Sequence, residues 1–216
     1  SPSTSAAGVQ AAGAVIEVTT SADVVDPDDG AISLREAFDL ANADPGDDVI
    51  SLVAEPYEYT IGTEDAAQED ANLAGDLDHV AGAGALTIHG NGHVLHPIDS
   101  RAIEQHDPAL LAIDDLAVVD AGEVRCCDFA VSGGAIRTVG DVTLDDVGLR
   151  NSGGSGGGPL EVSSGGGLSA GGLATIRDSY LNDNRAGYGG AVSADSLLME
   201  DTVVSGNHAG SGYGGG

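Results

Sequence analysis

A glycine-rich block returns at regular intervals in the C-terminal half of the chain, and it constrains the fold more than any other feature. The block begins at Gly133, Gly165, Gly189 and Gly214, so the intervals are 32, 24 and 25 residues. The excess in the first interval is a Gly-rich insertion over 153–164. A period in the low twenties is too short for helical-pair repeats, which need roughly 33 residues. It is typical of one coil in a solenoid of short strands, where each strand pairs with its counterpart in the next coil.

Alternating apolar and polar residues follow the glycine blocks and indicate strands with one buried face. The segments 86–90 and 111–118 have the same pattern, so about five coils fit between Ala85 and Gly216. Aligned on the period, the apolar residues form two columns that we expect to face the interior. The first column is Leu144, Ile176 and Met199, and the second is Leu149, Leu181 and Val204. At a turn one coil apart, Asn184 and Asn207 are expected to stack their amides.

The repeat and the local composition divide the chain into four parts. We expect a disordered Ser/Ala/Gly tail over 1–13, an N-terminal cap over 14–62, an acidic connecting loop over 63–84 and coils over 85–216. Further coils are expected beyond the last residue, because an uncapped solenoid end exposes a row of unpaired backbone groups.

The N-terminal cap is predicted to contain a short amphipathic helix at about 33–43. Ser33 is the expected N-cap, and Glu36 three positions later completes a capping box. Phe38 belongs to an apolar stripe at helical spacing, and Ala43–Gly46 ends the helix. A helix of this kind can cover the first coil and protect the open end of a parallel solenoid.

The N-terminal segments resemble a known family, the CSLREA domain. The resemblance is carried by Val18–Thr20, Ala22–Asp23, Asp26–Gly30 and Ser33–Ala37, although Ile32 stands where the named cysteine would be. The later Gly-Gly-Ala-Ile and Asn-x-Ala blocks resemble the polymorphic-outer-membrane-protein type of repeat. The resemblance implies an all-β, right-handed parallel β-helix with a pectin-lyase-like fold, in a protein that is secreted or on the cell surface. It implies no fixed reaction.

The charge of the chain excludes two classes of partner. Seven Lys+Arg residues against 35 Asp+Glu give a net charge of −28, so nucleic acid and anionic membrane surfaces are not expected partners. No run of 18 apolar residues occurs, which excludes a membrane-spanning helix in this sequence. The absence of lysine favours a halophilic or salt-tolerant source, and an ordinary acidic exported protein is the alternative.

An acidic column is the main candidate for chemistry. One repeat position holds Asp115, Asp146, Asp178 and Asp201. Carboxylates stacked about 5 Å apart repel one another unless they are solvated, protonated or bridged by cations. The column is therefore a candidate catalytic site with Arg150 and Arg177 nearby, and its last three members are candidates for Ca²⁺. The alternative is a solvated turn in a very acidic protein.

The remaining candidate residues favour structural interpretations. His89, His93 and His96 lie close together in sequence, but zinc needs a fuller ligand set, and turn histidines are the preferred interpretation. The adjacent Cys126 and Cys127 are interpreted as one buried and one loop thiol, with a redox switch or an intermolecular bridge as the alternatives.

The sequence leaves two functions open. The first is a non-enzymatic extracellular scaffold, adhesin or passenger domain, whose partner would be a polysaccharide or another cell-surface component. The second is a polysaccharide lyase or glycoside hydrolase that acts along one β-face, with no cofactor other than Ca²⁺. Aromatic residues are only 3% of the chain, which disfavours the enzyme because sugar clefts usually offer stacking rings.

Overall fold

The computed structural model describes residues 13–62, 71–122, 133–153 and 164–213. Within these ranges the chain forms one α-helix and fifteen β-strands. The strands pair in parallel, thirteen of them in a curled sheet and the remaining two, near the end of the described chain, in a separate sheet. The predicted all-β class is confirmed. The ten-residue helix is too short to cross a membrane, and the described parts of the chain contain no longer one. The two cysteines and nearly all of the predicted N-terminal tail lie outside the described residues.

The elements follow one another as short strands around a single helix. The helix α1 is Leu34–Ala43. The strands before residue 100 are β1 Val15–Val18, β2 Asp48–Leu52, β3 Glu58–Ile61, β4 Leu77–His79 and β5 Leu86–Pro97. The middle strands are β6 Ile103–Gln105, β7 Leu111–Val119, β8 Ile136–Thr138, β9 Val142–Arg150 and β10 Leu168–Arg177. The last strands are β11 Tyr180–Asn182, β12 Arg185–Tyr188, β13 Val192–Glu200, β14 Val203–Ser205 and β15 His208–Tyr213.

Successive repeats lie side by side in register. In a first row, β1, β2, β5, β7, β9, β10 and β13 are neighbours in that order, and Leu86, Leu111 and Val142 are consecutive partners. A second row begins at β3, continues through the later halves of β5, β7 and β9, and then passes through β11 to end at β14. A third row contains β4, β6 and β8 and ends at the first residues of β10 and β13. The repeats that the sequence aligns are therefore adjacent in space.

The two predicted apolar columns face the interior. Leu144 and Ile176 are partners with no exposed surface, and Met199, the next member, is partly buried against the core. Leu149 and Leu181 are likewise partners and fully buried. Each fully buried Leu or Ile stabilises the fold by about 1.5–3 kcal/mol relative to exposure. The interior columns are the main source of stability in the repeats.

The prediction of a connecting loop over 63–84 is wrong for its last part, because this segment contains β4. All three residues of β4 are buried, and Leu77 donates its N–H to the carbonyl of Ala102 at 3.0 Å. The strand pairs in register with β6 at Ile103. A three-residue strand offers too few positions for an alternating pattern, so only its partner strand shows that it is a strand.

The helix begins as predicted. Ser33 Oγ accepts the N–H of Glu36 at 3.1 Å, and Glu36 Oε2 accepts the N–H of Ser33 at 2.9 Å. The other carboxylate oxygen, Oε1, accepts the N–H of Asp26 at 2.7 Å and ties the preceding turn to the helix. Phe38 is fully buried where α1 packs against β1, β2 and β4. The capping box and the apolar stripe are confirmed.

Arg35 connects the helix to two distant segments. Its guanidinium forms a bidentate pair with Asp23, at 2.8 Å from Nε to Oδ1 and 3.0 Å from Nη2 to Oδ2. It also donates to the carbonyls of Gly75 at 2.8 Å and Asp76 at 3.1 Å. Arg35 is only 3% exposed, so these bonds are made away from water. The residue therefore holds the segment before β4 against the helix.

Candidate functional site

The acidic column lies at an exposed corner of the repeats. The φ angles there are 48° at Asp115, 53° at Asp146, 48° at Asp178 and 46° at Asp201. This left-handed region is strained for most residues and is tolerated by Gly, Asn and Asp. The backbone at this corner therefore gives a sufficient reason for an aspartate in each repeat.

The two arginines near the column do not pair with it. Arg177 Nε lies 2.6 Å from Oε2 of Glu200, and both side chains are about half exposed. The Arg150 guanidinium lies over the ring of Tyr180, 5.2 Å from its centroid. Within the described residues, neither makes an ion pair with a column aspartate. The structure therefore does not bring together the predicted set of aspartates and arginines.

A single group of three residues meets the geometry for holding an ion within the described parts of the chain. It consists of Asp78, Glu104 and His106, whose potential ligand atoms all lie within 4.8 Å of one another. Neither the predicted Ca²⁺ candidates Asp146, Asp178 and Asp201 nor the three neighbouring histidines form such a group.

Arginines already occupy one carboxylate of that group, that of Glu104. Glu104 forms ion pairs with both Arg101 and Arg137, and Arg101 also lies 3.0 Å from Oδ2 of Asp76. His106 Nε2 lies 3.4 Å from Oδ1 of Asp78. A metal ion would have to displace guanidinium groups from a buried carboxylate. We therefore interpret this cluster as a buried ion-pair network that links β4, β6 and β8.

The sequence contains a weak signal for this network. Each of the three strands reads as an apolar residue, a charged residue and a polar residue, with Asp78, Glu104 and Arg137 at the centre. These charged residues are register partners in turn. The triads are too short to stand out by periodicity, and only their common register shows that they belong together.

The histidines that are close in sequence lie in different environments. His93 is buried, with Nδ1 2.6 Å from the carbonyl oxygen of Gly90 and Nε2 2.9 Å from that of Ala54. His89 is partly exposed, and its Nδ1 lies 2.7 Å from Oδ2 of Asp114. His93 therefore links the middle of β5 to the segment after β2. All three histidines lie within β5, so the prediction that they are turn residues is wrong, although the backbone bends between His89 and His93.

The pKa values of His79 and Asp107 are both shifted below their ordinary values. Burial lowers the pKa of His79, although its contact with the carbonyl of Gly84 at 3.0 Å acts in the opposite direction. Burial raises the pKa of Asp107, but bonds from the N–H groups of Ala109, Gly82 and Gly84 outweigh it and lower the pKa overall. Both groups bond to the turn after β4, His79 at Gly84 and Asp107 at Gly82 and Gly84, and stabilise that turn.

A second polar corner follows the first by five residues, and sequence reasoning missed it. It holds Asp120, Asn151, Asp183 and Gly206, with φ angles of 62°, 50°, 58° and 66°. The spacing of the acidic column, applied five residues downstream, would have identified this corner. These residues line a cavity of about 530 Å³, here called the corner groove. Its other lining residues are Ser152, Gly153, Asn184, Arg185 and His208.

A buried amide ladder runs through Asn184, one of the residues that line the corner groove. Asn184 donates from Nδ2 to Oδ1 of Asn207 at 3.0 Å and to the carbonyl of Leu149 at 2.9 Å. Asn207 donates in turn to the carbonyl of Leu181 at 2.8 Å, and Asn184 Oδ1 accepts the N–H of Ser152 at 3.0 Å. The predicted stacking of the two asparagines is confirmed. The buried ladder gives the groove a fixed backbone.

The class defined by fold and site is that of an all-β repeat protein whose mostly parallel strands carry polar corners. No protein-family model, curated protein or solved structure matches the chain.

Proposed function

We propose that the protein is a secreted or cell-surface scaffold, adhesin-like and without a reaction of its own, built as a right-handed parallel β-helix. The observation that carries the proposal is the parallel register of successive repeats in three rows. One strand per coil in each of three rows is the arrangement expected of a parallel β-helix. Such a solenoid offers a long surface on which binding residues recur once per coil.

The geometry of the acidic column supports a scaffold. A left-handed backbone at each corner explains its aspartates without any catalytic role. Arg177 is paired with Glu200, and Arg150 packs on Tyr180, so both have structural partners.

The resemblance to the CSLREA domain supports export. The residues that carry it have defined positions here, since Ser33 and Glu36 cap the helix and Arg35 binds Asp23. We propose that the segment over 14–62 covers the first coil of the solenoid.

A search for hydrolysis or elimination tests the proposed absence of a reaction. The protein is incubated at high salt with Ca²⁺ and a panel of uronic-acid and neutral polysaccharides, and new reducing ends are followed. We expect no turnover. The scaffold proposal would be overturned by turnover that is lost in Asp146→Ala or Asp178→Ala. The exposed control Glu17→Ala should retain that turnover, which would place an active site on the acidic column.

Protease treatment of intact source cells tests the location. A surface protein should be degraded without lysis, whereas an intracellular enzyme in the same cells should stay intact. Protection of this protein until lysis would contradict the proposed location.

A further inference from the structure

We infer that the corner groove is a binding site for a carboxylated saccharide, with Arg185 as the partner of the carboxylate. The inference rests on the proposed function and deepens it, because it assigns the scaffold a ligand class and a position for that ligand.

The first support is the state of Arg185. Four arginines of the described residues are ion-paired: Arg35, Arg101, Arg137 and Arg177. Arg185 is exposed in the corner groove and makes no ion pair within the described residues. In a chain with 35 acidic residues, a guanidinium held apart from every described carboxylate is available to an anionic ligand.

The second support is the neighbour of Arg185 on the next coil. His208 is its register partner, so the two side chains start from adjacent strands about 4.8 Å apart. His208 lines the same groove and is exposed. An imidazole offers one N–H donor when neutral and two when protonated. A ligand carboxylate can therefore accept bonds from both residues.

The third support is a pair of carboxylates in the same groove, those of Asp120 and Asp183. Asn151 donates from Nδ2 to Oδ1 of Asp120 at 2.5 Å, and Asn182 donates to Oδ2 of Asp183 at 3.0 Å. These bonds fix the two carboxylates and leave acceptor capacity on each. Sugar hydroxyl groups are the donors that such acceptors bind.

The combination of groups selects the ligand class. A neutral glycan would leave Arg185 without a partner, and a phosphate polymer without hydroxyl groups would offer no donors to Asp120 and Asp183. A saccharide with one carboxylate and several hydroxyls per residue satisfies both sides of the groove. Because the corner residues recur one strand apart, such a chain can run along the groove across successive coils.

Calorimetric titration with a galacturonic-acid tetramer, and with a neutral tetramer of the same length, tests the site. We expect the acidic tetramer to bind and Arg185→Gln to lower its affinity on the order of tenfold or more. The matched control Arg177→Gln, which removes an exposed arginine outside the groove, should leave the affinity unchanged. Far-ultraviolet circular dichroism confirms that both variants remain folded.

The outcomes separate this inference from the scaffold proposal. No binding of the acidic tetramer, or equal loss in the two variants, overturns the groove site but leaves the scaffold in place. Equal binding of the neutral tetramer overturns the role of Arg185. The titrated samples are also assayed for cleavage, and cleavage would overturn the scaffold while binding could still occur at the groove.

Discussion

The segment around α1 and the repeats after residue 85 are stabilised in different ways. Around the helix, each important contact occurs once, as in the bidentate pair of Arg35 with Asp23. In the repeats the same apolar contact recurs, as when Leu144, Ile176 and Met199 occupy one interior column. A single substitution near the helix removes an interaction that occurs only once. A substitution in a repeat weakens one of several equivalent interactions.

The difference is also visible in how far the connecting residues are separated in sequence. Arg35 binds carbonyl groups 40 and 41 residues away, at Gly75 and Asp76. In the repeats, Asn184 binds Asn207 at a separation of 23 residues, which is close to the length of one repeat. The repeats therefore rely on a periodic sequence, while the segment around α1 relies on particular residues brought together by folding.

The largest expected effect on stability comes from replacing Arg35, which connects α1 to two distant segments. Arg35→Ala should lower the free energy of unfolding by about 3–5 kcal/mol, because it leaves Asp23 and two carbonyls without their partner in a nearly buried site. Urea denaturation measures the change. The double variant with Asp23→Ala should lose less than the sum of the two single variants. Additive losses would show that the pair is not coupled.

A smaller effect should follow from shortening the interior column. Ile176→Ala should lower the free energy of unfolding by about 2–5 kcal/mol, because the residue is fully buried and has neighbours on both sides. Met199→Ala, in the same column, should cost less, since Met199 is only partly buried. Urea denaturation of both variants tests the order, and a greater loss for Met199 would contradict it.

The turn after β4 should make stability depend on pH. Burial lowers the folded-state pKa of His79, so the neutral ring is favoured in the folded protein. The stability gained from the neutral His79 is fully present above the pKa of the unfolded chain, which is near 6.5. It is lost as the pH falls from that value towards the lower pKa of the folded protein. The slope from this one residue is at most about 1.4 kcal/mol per pH unit.

Urea denaturation between pH 7.5 and 5.5 measures that slope. His79→Gln should flatten the dependence, while the exposed control His208→Gln should preserve it. An unchanged slope in His79→Gln would show that other groups cause the pH dependence.

The smallest expected effect is at the acidic column. Asp146→Ala should cost about 1–2 kcal/mol because alanine is strained at φ 53°, whereas Asp146→Asn should be nearly neutral. Thermal unfolding in Ca²⁺ and in chelator compares the two variants. If Asn is as damaging as Ala, and only when Ca²⁺ is present, the carboxylate binds the ion and the conformational explanation is wrong.

Much of the fold was predictable because its causes are local or periodic. Ser33 and Glu36 are three residues apart, so their capping box is visible in the sequence. The interior position of Ile176 follows from the repeat. The strand β4 was missed because three residues give no pattern. The corner groove was missed because its repeat position holds Asp, Asn and Gly in turn and not one recurring residue type.

The sequence by itself determined that repeats stack as parallel strands, because a period in the low twenties and two apolar columns permit few other arrangements. Only the tertiary structure decided which charged residues meet. Arg35 binds Asp23 from 12 residues away, while Arg185 has no ion pair among the described residues and faces a groove. Repetition specifies contacts between equivalent positions. Contacts between unlike positions depend on how the loops between strands are folded, which no period encodes.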